Sequence, residues 1–331
     1  MAATSSQAAP APHPQDELLR EAAGTIDRSE RGKLALSGSG AIEFLDGQVT
    51  NELAGLRAGE GRYAAFLTHK GHMLGDLRVL AVGAQPGGEP QELLLDTERV
   101  ALQGLFDMIR RFKVGFDVEL HKRTLERGLV SVIGPLAAEV AGAGSLGAEE
   151  HANVALELGG IEALAIRTDL GVDLLCESAD TGALAALLAR RGAPPVEEAA
   201  AECLRIESGR PRYGVDLDES VIPQEAGLNE RAVSFTKGCY VGQETVARLF
   251  YRGRPNRRLR GLRLAQPAEP GAEIRGGERV LGRVSSAAFS PVFGAIALAL
   301  VRREAEPGEH VAVGRDATAA EVIELPFRRG D

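Results

Sequence analysis

Lys237-Gly238-Cys239-Tyr240-Val241-Gly242-Gln243-Glu244 sets one of three cysteines between a lysine and two glycines, just ahead of a segment with helical spacing. A nearby cation and the unpaired N–H groups of a helix N-terminus both stabilise a thiolate. Gly238 and Gly242 lack the side chains that keep a ligand or partner from the backbone. The residue types therefore describe an exposed, activated thiol; a cysteine buried as a small hydrophobe is the other reading.

On the C-terminal side, residues 248–263 hold seven arginines (248, 252, 254, 257, 258, 260 and 263) and no acid, so against a net charge of −9 the rest of the chain carries −16. Such a run is a solvated face, a guide for a small polycarboxylate, or, with only Phe250 and Tyr251 interleaved, an RNA contact. Beyond residue 256, short strand-like runs (259–264, 279–289, 295–302, 310–313 and 320–325) alternate with Gly/Pro turns, the texture of a small all-β barrel or sandwich.

On the N-terminal side the pattern mixes helices and strands. Pro194-Pro195 precedes an expected helix over 196–208. Leu34-Ala35-Leu36, a glycine turn at Gly38 and a helix carrying Ala41 and Phe44 resemble Val130 to Ile133, Gly134 and a helix carrying Ala137 and Val140. This is an internal repeat of strand, glycine turn and helix. Residues 63–67 and 77–82 read as strands joined by the turn at Lys70-Gly71, and 97–111 as an amphipathic helix. The expected organisation is a tail over 1–15, an α+β region over 16–255 and a β-barrel over 256–331.

Length and composition narrow the function classes. The 331 residues exceed one small core, and 44% hydrophobic with 26% charged residues is ordinary for a globular protein. The acidic balance argues against a general nucleic-acid or membrane-surface binder. No apolar run approaches the ~18 residues of a membrane span. Cys176, Cys203 and Cys239 suit neither a disulfide framework nor a zinc knuckle, which points to a reducing, cytoplasmic compartment. His69 and His72 share a turn and are not expected to form a metal site.

The octapeptide resembles the signature of the YgfZ-type folate-binding proteins, relatives of the glycine-cleavage T-protein, the tetrahydrofolate-dependent aminomethyltransferase. Similarity extends through residues 205–214 and 222–228, through Ala247-Arg248 and 256–259, and near the N-terminus through 44–51 and 70–77. Residues 282–286 and Leu325-Pro326-Phe327 fit as well, so the matches run from about residue 26 to 327. The octapeptide is the most specific of these; the others are shared with the wider superfamily. The resemblance implies an α+β fold of ferredoxin-like folate-binding units closed into a ring by a small C-terminal β-barrel, with tetrahydrofolate or a one-carbon derivative as cofactor.

Roles for single residues follow from that resemblance. Glu207 matches the family glutamate that pairs with the pterin, for which a carboxylate accepting two parallel N–H bonds is suited. Tyr213 stacks on the pterin or covers the core. Asn51 and Asp76 line the central channel of the ring, where the resemblance implies that folate is held, or end an element. Lys237 holds Cys239 as thiolate, binds the folate's glutamate carboxylate, or is solvated. Arg248 serves the same carboxylate or a surface ion pair.

The implied function is folate-dependent assembly or repair of iron–sulfur clusters in client enzymes, with Cys239 as the working thiol and client or assembly proteins as partners. Because conventional clusters need four ligands, one thiol permits only a shared or transient contact. This reading leans away from an enzyme. The alternative is aminomethyl transfer. Against it, the T-protein pattern has Asp-Asp-Leu with the first aspartate near the reacting carbon, whereas this chain has Gly75-Asp76-Leu77. The T-protein also lacks the cysteine octapeptide.

Overall fold

The structure is a computed structural model that describes residues 11–329, so most of the expected tail lies outside the described residues. Helix α1 (Asp16–Glu21) and strand β1 (Gly24–Asp27) come first. One α+β unit follows: β2 (Gly32–Ser37), α2 (Ala41–Asp46), β3 (Gly61–Leu67), β4 (Met73–Val82), β5 (Glu92–Thr97), α3 (Leu102–Phe112) and β6 (Glu119–Lys122). A second repeats the plan: β7 (Arg127–Ile133), α4 (Ala137–Val140), β8 (Asn153–Leu158), β9 (Ile161–Arg167), β10 (Gly171–Glu177) and α5 (Thr181–Arg190).

Each unit builds a five-stranded antiparallel sheet, in the orders β3-β4-β5-β2-β6 and β8-β9-β10-β7-β1. The orders correspond strand for strand, which establishes the repeat. The two glycine turns show why it is legible. Gly38 (φ +105°) and Gly134 (φ +124°) sit where a Cβ would meet a backbone oxygen, that of Asp117 at 2.3 Å and of Ala22 at 2.4 Å. Two residues on, Gly40 N donates to Asp117 O (3.0 Å) and Leu136 N to Ala22 O (3.1 Å). Only glycine accepts both the left-handed backbone and the close approach.

The two sheets bury a shared apolar layer: Ala35, Leu80 and Leu94 from the first, Leu129, Ile166 and Leu175 from the second. Beside this layer runs a buried polar ladder. Arg78 on β4 donates to Asp96 on β5 and to Asp173 on β10, both at 2.6 Å, and Ser131 on β7 closes onto Asp173 at 2.6 Å. Arg31, ahead of β2, forks onto Asp96 and reaches Glu98.

Helices α7 (Asn229–Ala232) and α8 (Gln243–Arg252) belong with this α+β body, whereas α6 (Glu198–Glu207) belongs with the C-terminal strands. Those strands, β11 (Arg257–Leu264), β12 (Glu273–Gly276), β13 (Arg279–Ser290), β14 (Gly294–Arg302), β15 (His310–Val313) and β16 (Thr318–Ile323), close in the order β11-β14-β13-β12-β15-β16. Closure removes exposed sheet edges. Ile206 of α6 packs with Leu259, Ile296, Leu298, Ile323 and Phe327 on the barrel's outer side. The α+β fold with a small C-terminal barrel is as expected.

Strand β4 begins earlier than the sequence pattern suggests, so Gly75 and Asp76 lie inside it. A Cβ on Gly75 would sit 2.6 Å from the Phe66 ring and from Ala101 Cβ. Over-filling a packed core typically costs about 1–3 kcal/mol. Gly75→Ala should therefore lower stability by about that amount in chemical denaturation; an unchanged midpoint would mean that Phe66 yields freely.

Candidate functional site

The register of β3 against β4 sets Ala65 opposite Asp76, with Tyr63 two residues along on the same face. Ala65 leaves room for the longer phenol to reach diagonally across. Tyr63 Oη donates to Asp76 Oδ2 at 2.6 Å. Asp76 is 6% exposed, and its other oxygen accepts no hydrogen bond among the described residues. Burial raises its pKa to about 6, further helped by Glu98 and only partly offset by Tyr63, Arg31 and Arg231. The Tyr63 phenol is itself pushed well up by burial and by Asp76. Near neutral pH this carboxyl can give up or take back a proton, the property of a general acid–base group.

The expected site residues fall in different places. Asn51 donates through Nδ2 to the carbonyls of Tyr63 (2.8 Å) and Arg231 (3.1 Å), so it braces the backbone under Tyr63. Tyr213 is buried, its hydroxyl 3.5 Å from Met73 O at the start of β4, and burial pushes its pKa to about 12. Asp76 is among the charges acting on it. Lys237 is buried and donates to the carbonyls of Asp46 (2.5 Å), Val49 (3.0 Å) and Asn51 (2.8 Å), with Asp46 Oδ1 at 3.1 Å. It fastens the end of α2, and neither of the solute-directed roles expected of it matches that geometry. Lys237, Asn51, Tyr63 and Asp76 thus form one hydrogen-bonded chain.

Within the octapeptide, Tyr240 is buried and Cys239 is exposed, whereas Cys176 and Cys203 are buried. Gly242 (φ +85°) ends the loop where a Cβ would lie 2.6 Å from Thr68 O, so this glycine admits the β3–β4 turn rather than a ligand. Gly238 faces open space. Arg248 on α8 is exposed and makes no ion pair among the described residues. Other arginines of the run are paired: Arg257 with Glu225, Arg260 with Glu324.

Glu207 closes α6 in the barrel unit. Its Oε1 accepts from Ser290 Oγ at 2.5 Å and from Cys203 Sγ at 3.6 Å. Ser290 Oγ in turn accepts from the N–H groups of Val292 and Phe293, each at 2.9 Å. The carboxylate is held in one orientation by its own helix and by β13.

Sequence reasoning missed Tyr63, Arg231 and Glu150. Tyr63 was readable only with the β3–β4 register in hand. Arg231 sits with its guanidinium 4.6 Å from the centre of the Tyr63 ring, and no spacing in the sequence connects the two. At Gly75 the departure from the T-protein pattern stands. Position 75 faces Phe66 and Ala101 and has no room for a carboxylate, while Asp76 is the buried acid with an acid–base partner.

A duplicated α+β unit and a closed six-stranded barrel make up the architecture, with a buried acid–phenol pair on the first unit. Residues 8–237 match the GCVT N-terminal domain, and residues 257–328 match the glycine cleavage T-protein C-terminal barrel domain. An aminomethyltransferase of Thermotoga petrophila is 30% identical over 94% of this chain and 88% of its own length. One from Streptomyces avermitilis is 32% identical over 95% and 89%. The crystal structure of glycine cleavage system aminomethyltransferase T from Bartonella henselae superposes with a TM-score of 0.83 at 25% identity, covering 96% of this chain and 91% of that one. The chain belongs to the glycine cleavage T-protein family.

Among the described residues no helix is long and apolar enough to cross a membrane.

The raised pKa of Asp76 has a stability consequence. Between the ordinary aspartate value and about 6 the folded state binds more protons than the unfolded state, so stability falls as pH rises through that window. Asp76→Asn removes this penalty. It should stabilise the protein above pH ~6.5 by up to about 3 kcal/mol, with the gain vanishing towards pH 4, as measured by thermal unfolding across pH.

Proposed function

We propose that this chain binds tetrahydrofolate and acts as an aminomethyltransferase-type one-carbon transferase, with Asp76 as its acid–base group. The single observation that carries the reading is the buried carboxyl of Asp76, titrating near 6, aimed by Tyr63 and with one oxygen free of hydrogen bonds among the described residues. The family and its aminomethyltransferase relatives support the same reaction class. These residues fit a reduced folate, because a carboxyl of this kind can hold or release a proton at an amine nitrogen. When bound, tetrahydrofolate supplies the nitrogens that accept the carbon unit. Asp76 takes or returns the proton, Tyr63 fixes the direction of its oxygen, and Asn51 and Lys237 hold the backbone beneath. Glu207 is the proposed ligand of the pterin, and its Ser290 contact orients the carboxylate for that task. Arg248, exposed on α8, is the proposed partner of the folate's glutamate tail.

A second reading is favoured by the octapeptide. Cys239 is the exposed cysteine, presented between Lys237 and Tyr240, which are both buried. That presentation suits folate-dependent support of iron–sulfur enzymes of the YgfZ type, with the thiol touching a client or assembly protein in the cytoplasm.

Calorimetry with tetrahydrofolate and an assay of ammonia release from an aminomethyl donor test the first reading. Asp76→Asn should retain folate binding while losing at least about 100-fold in turnover, the usual contribution of acid–base catalysis. Wild-type turnover in that variant would sink it. Glu207→Ala should weaken folate binding markedly, and unchanged affinity removes Glu207 from the site.

The second reading is tested by complementation of a deletion strain. Cys239→Ala should leave folding and folate affinity intact. Lost support of cluster-dependent enzymes by this variant, together with no ammonia release by the wild type, would replace the first reading with the second.

A further inference from the structure

The loop ahead of β8 brings two side chains of the second α+β unit onto the acid–base pair of the first. Glu150 forks onto Arg231, with Arg231 Nε to Glu150 Oε2 at 3.3 Å and Nη2 bonded to Oε1. The guanidinium so held lies over the face of the Tyr63 ring, 4.6 Å from its centre. This is well inside the ~6 Å at which a cation is attracted to an aromatic face. His151 stands beside the same ring, 6.1 Å between centroids and tilted by 38°.

We propose that the Glu150–Arg231 ion pair is a positioning clamp for the Tyr63–Asp76 centre: the fork presses the guanidinium onto the Tyr63 ring and so fixes the line along which its hydroxyl meets Asp76. The proposal rests on the reading of Asp76 as the acid–base group.

Three observations support it. The same-face neighbours of Tyr63 along β3, Gly61 and Ala65, are too small to hold its ring in place. A bidentate Arg–carboxylate pair fixes the plane of the guanidinium, as a lysine would not. The backbone at His151 adopts φ +70°, an uncommon conformation for a residue other than glycine, and it is pinned there by His151 N donating to Arg167 O at 2.9 Å. That turn is what delivers Glu150 and His151 together. His151 is buried, neither ring nitrogen has a hydrogen-bond partner among the described residues, and burial pulls its pKa down to about 3. It therefore stays neutral, and its 3.6 Å approach to Glu150 is a contact rather than an ion pair. His151 serves as a wall, and Arg231 as the cation.

Asp76 is faced by Tyr63 from β3, Glu98 after β5, Arg31 before β2, Arg231 from α7 and the ring of Tyr213. Arg231 acts to keep the Asp76 carboxyl ionised, so its displacement moves the titration upward. This separates a clamp from a bystander. Removing the negative charge of Glu150 from a rigid site would, if anything, shift Asp76 downward. Removing a clamp releases Arg231 and shifts Asp76 upward.

The test is a carbon-13 carboxyl titration of the full, ligand-free protein labelled at aspartate, with the Asp76 resonance assigned by its loss in Asp76→Asn. Wild type should titrate near 6. Arg231→Gln, Glu150→Gln and Glu150→Asp should each move the midpoint to higher pH. Glu150→Asp is decisive because it keeps the charge and withdraws only the fork. Glu150 and Arg231 are 29% and 26% exposed, so the replacements do not open the core. A midpoint unmoved or lowered in both Glu150 variants overturns the clamp. The titration needs no folate, so its outcome stands apart from the binding and turnover assays.

Discussion

Arg78 is the residue on which the α+β body turns. Its guanidinium is buried between Asp96 of one sheet and Asp173 of the other, at a place where two apolar sheet faces would otherwise slide. Apolar layers tolerate small shifts in register; a fork between two fixed carboxylates does not. Buried ion pairs contribute little net stability against a well-packed apolar substitute, yet losing one partner strands a charge at a cost of roughly 3–5 kcal/mol. The ladder through Arg31, Asp96, Arg78, Asp173 and Ser131 therefore sets how the two repeats register rather than how strongly they adhere.

Asp76 and Asp96 lie on adjacent strands and are both buried, yet they carry opposite chemistry. Burial alone would push both carboxyls up. At Asp96 that influence is overcome by Arg31 and Arg78, which hold it well below the ordinary range. At Asp76 the cations are farther off, and the carboxyl rests near 6. The fold thus supplies one permanently charged acid and one acid whose charge is adjustable near neutral pH. The uncompensated burial that lowers stability at Asp76 is also what makes its proton exchangeable near neutral pH.

Much of this was legible in the chain because local chemistry and tertiary demand coincide. Gly38 and Gly134 announce the repeat since both turns require a positive φ under a crossing backbone. The barrel strands announce themselves by runs between turn residues. The edge strands β1 and β6 were not foreseen, for four residues cannot display a period and their pairing depends on partners far away in the sequence. The same limit hid the site. Tyr63 meets Asp76 only through a strand register, and Arg231 reaches Tyr63 from α7, beyond both repeats in the sequence. Lys237 looked like a thiol's counter-ion beside Cys239, and three carbonyls from another segment claim it instead.

The placement of β1 and β6 makes the two repeats unequal in self-sufficiency. The strand that precedes the first repeat completes the sheet of the second, and the strand that precedes the second completes the sheet of the first. The first repeat, with β6 as its own last strand, holds a complete five-stranded sheet. The second repeat has only four strands of its own, and the outer edge of β7 stays unpaired until β1 is laid against it. The second sheet is therefore completed from the far side of the first repeat, so the first half of the α+β body can close by itself and the second cannot.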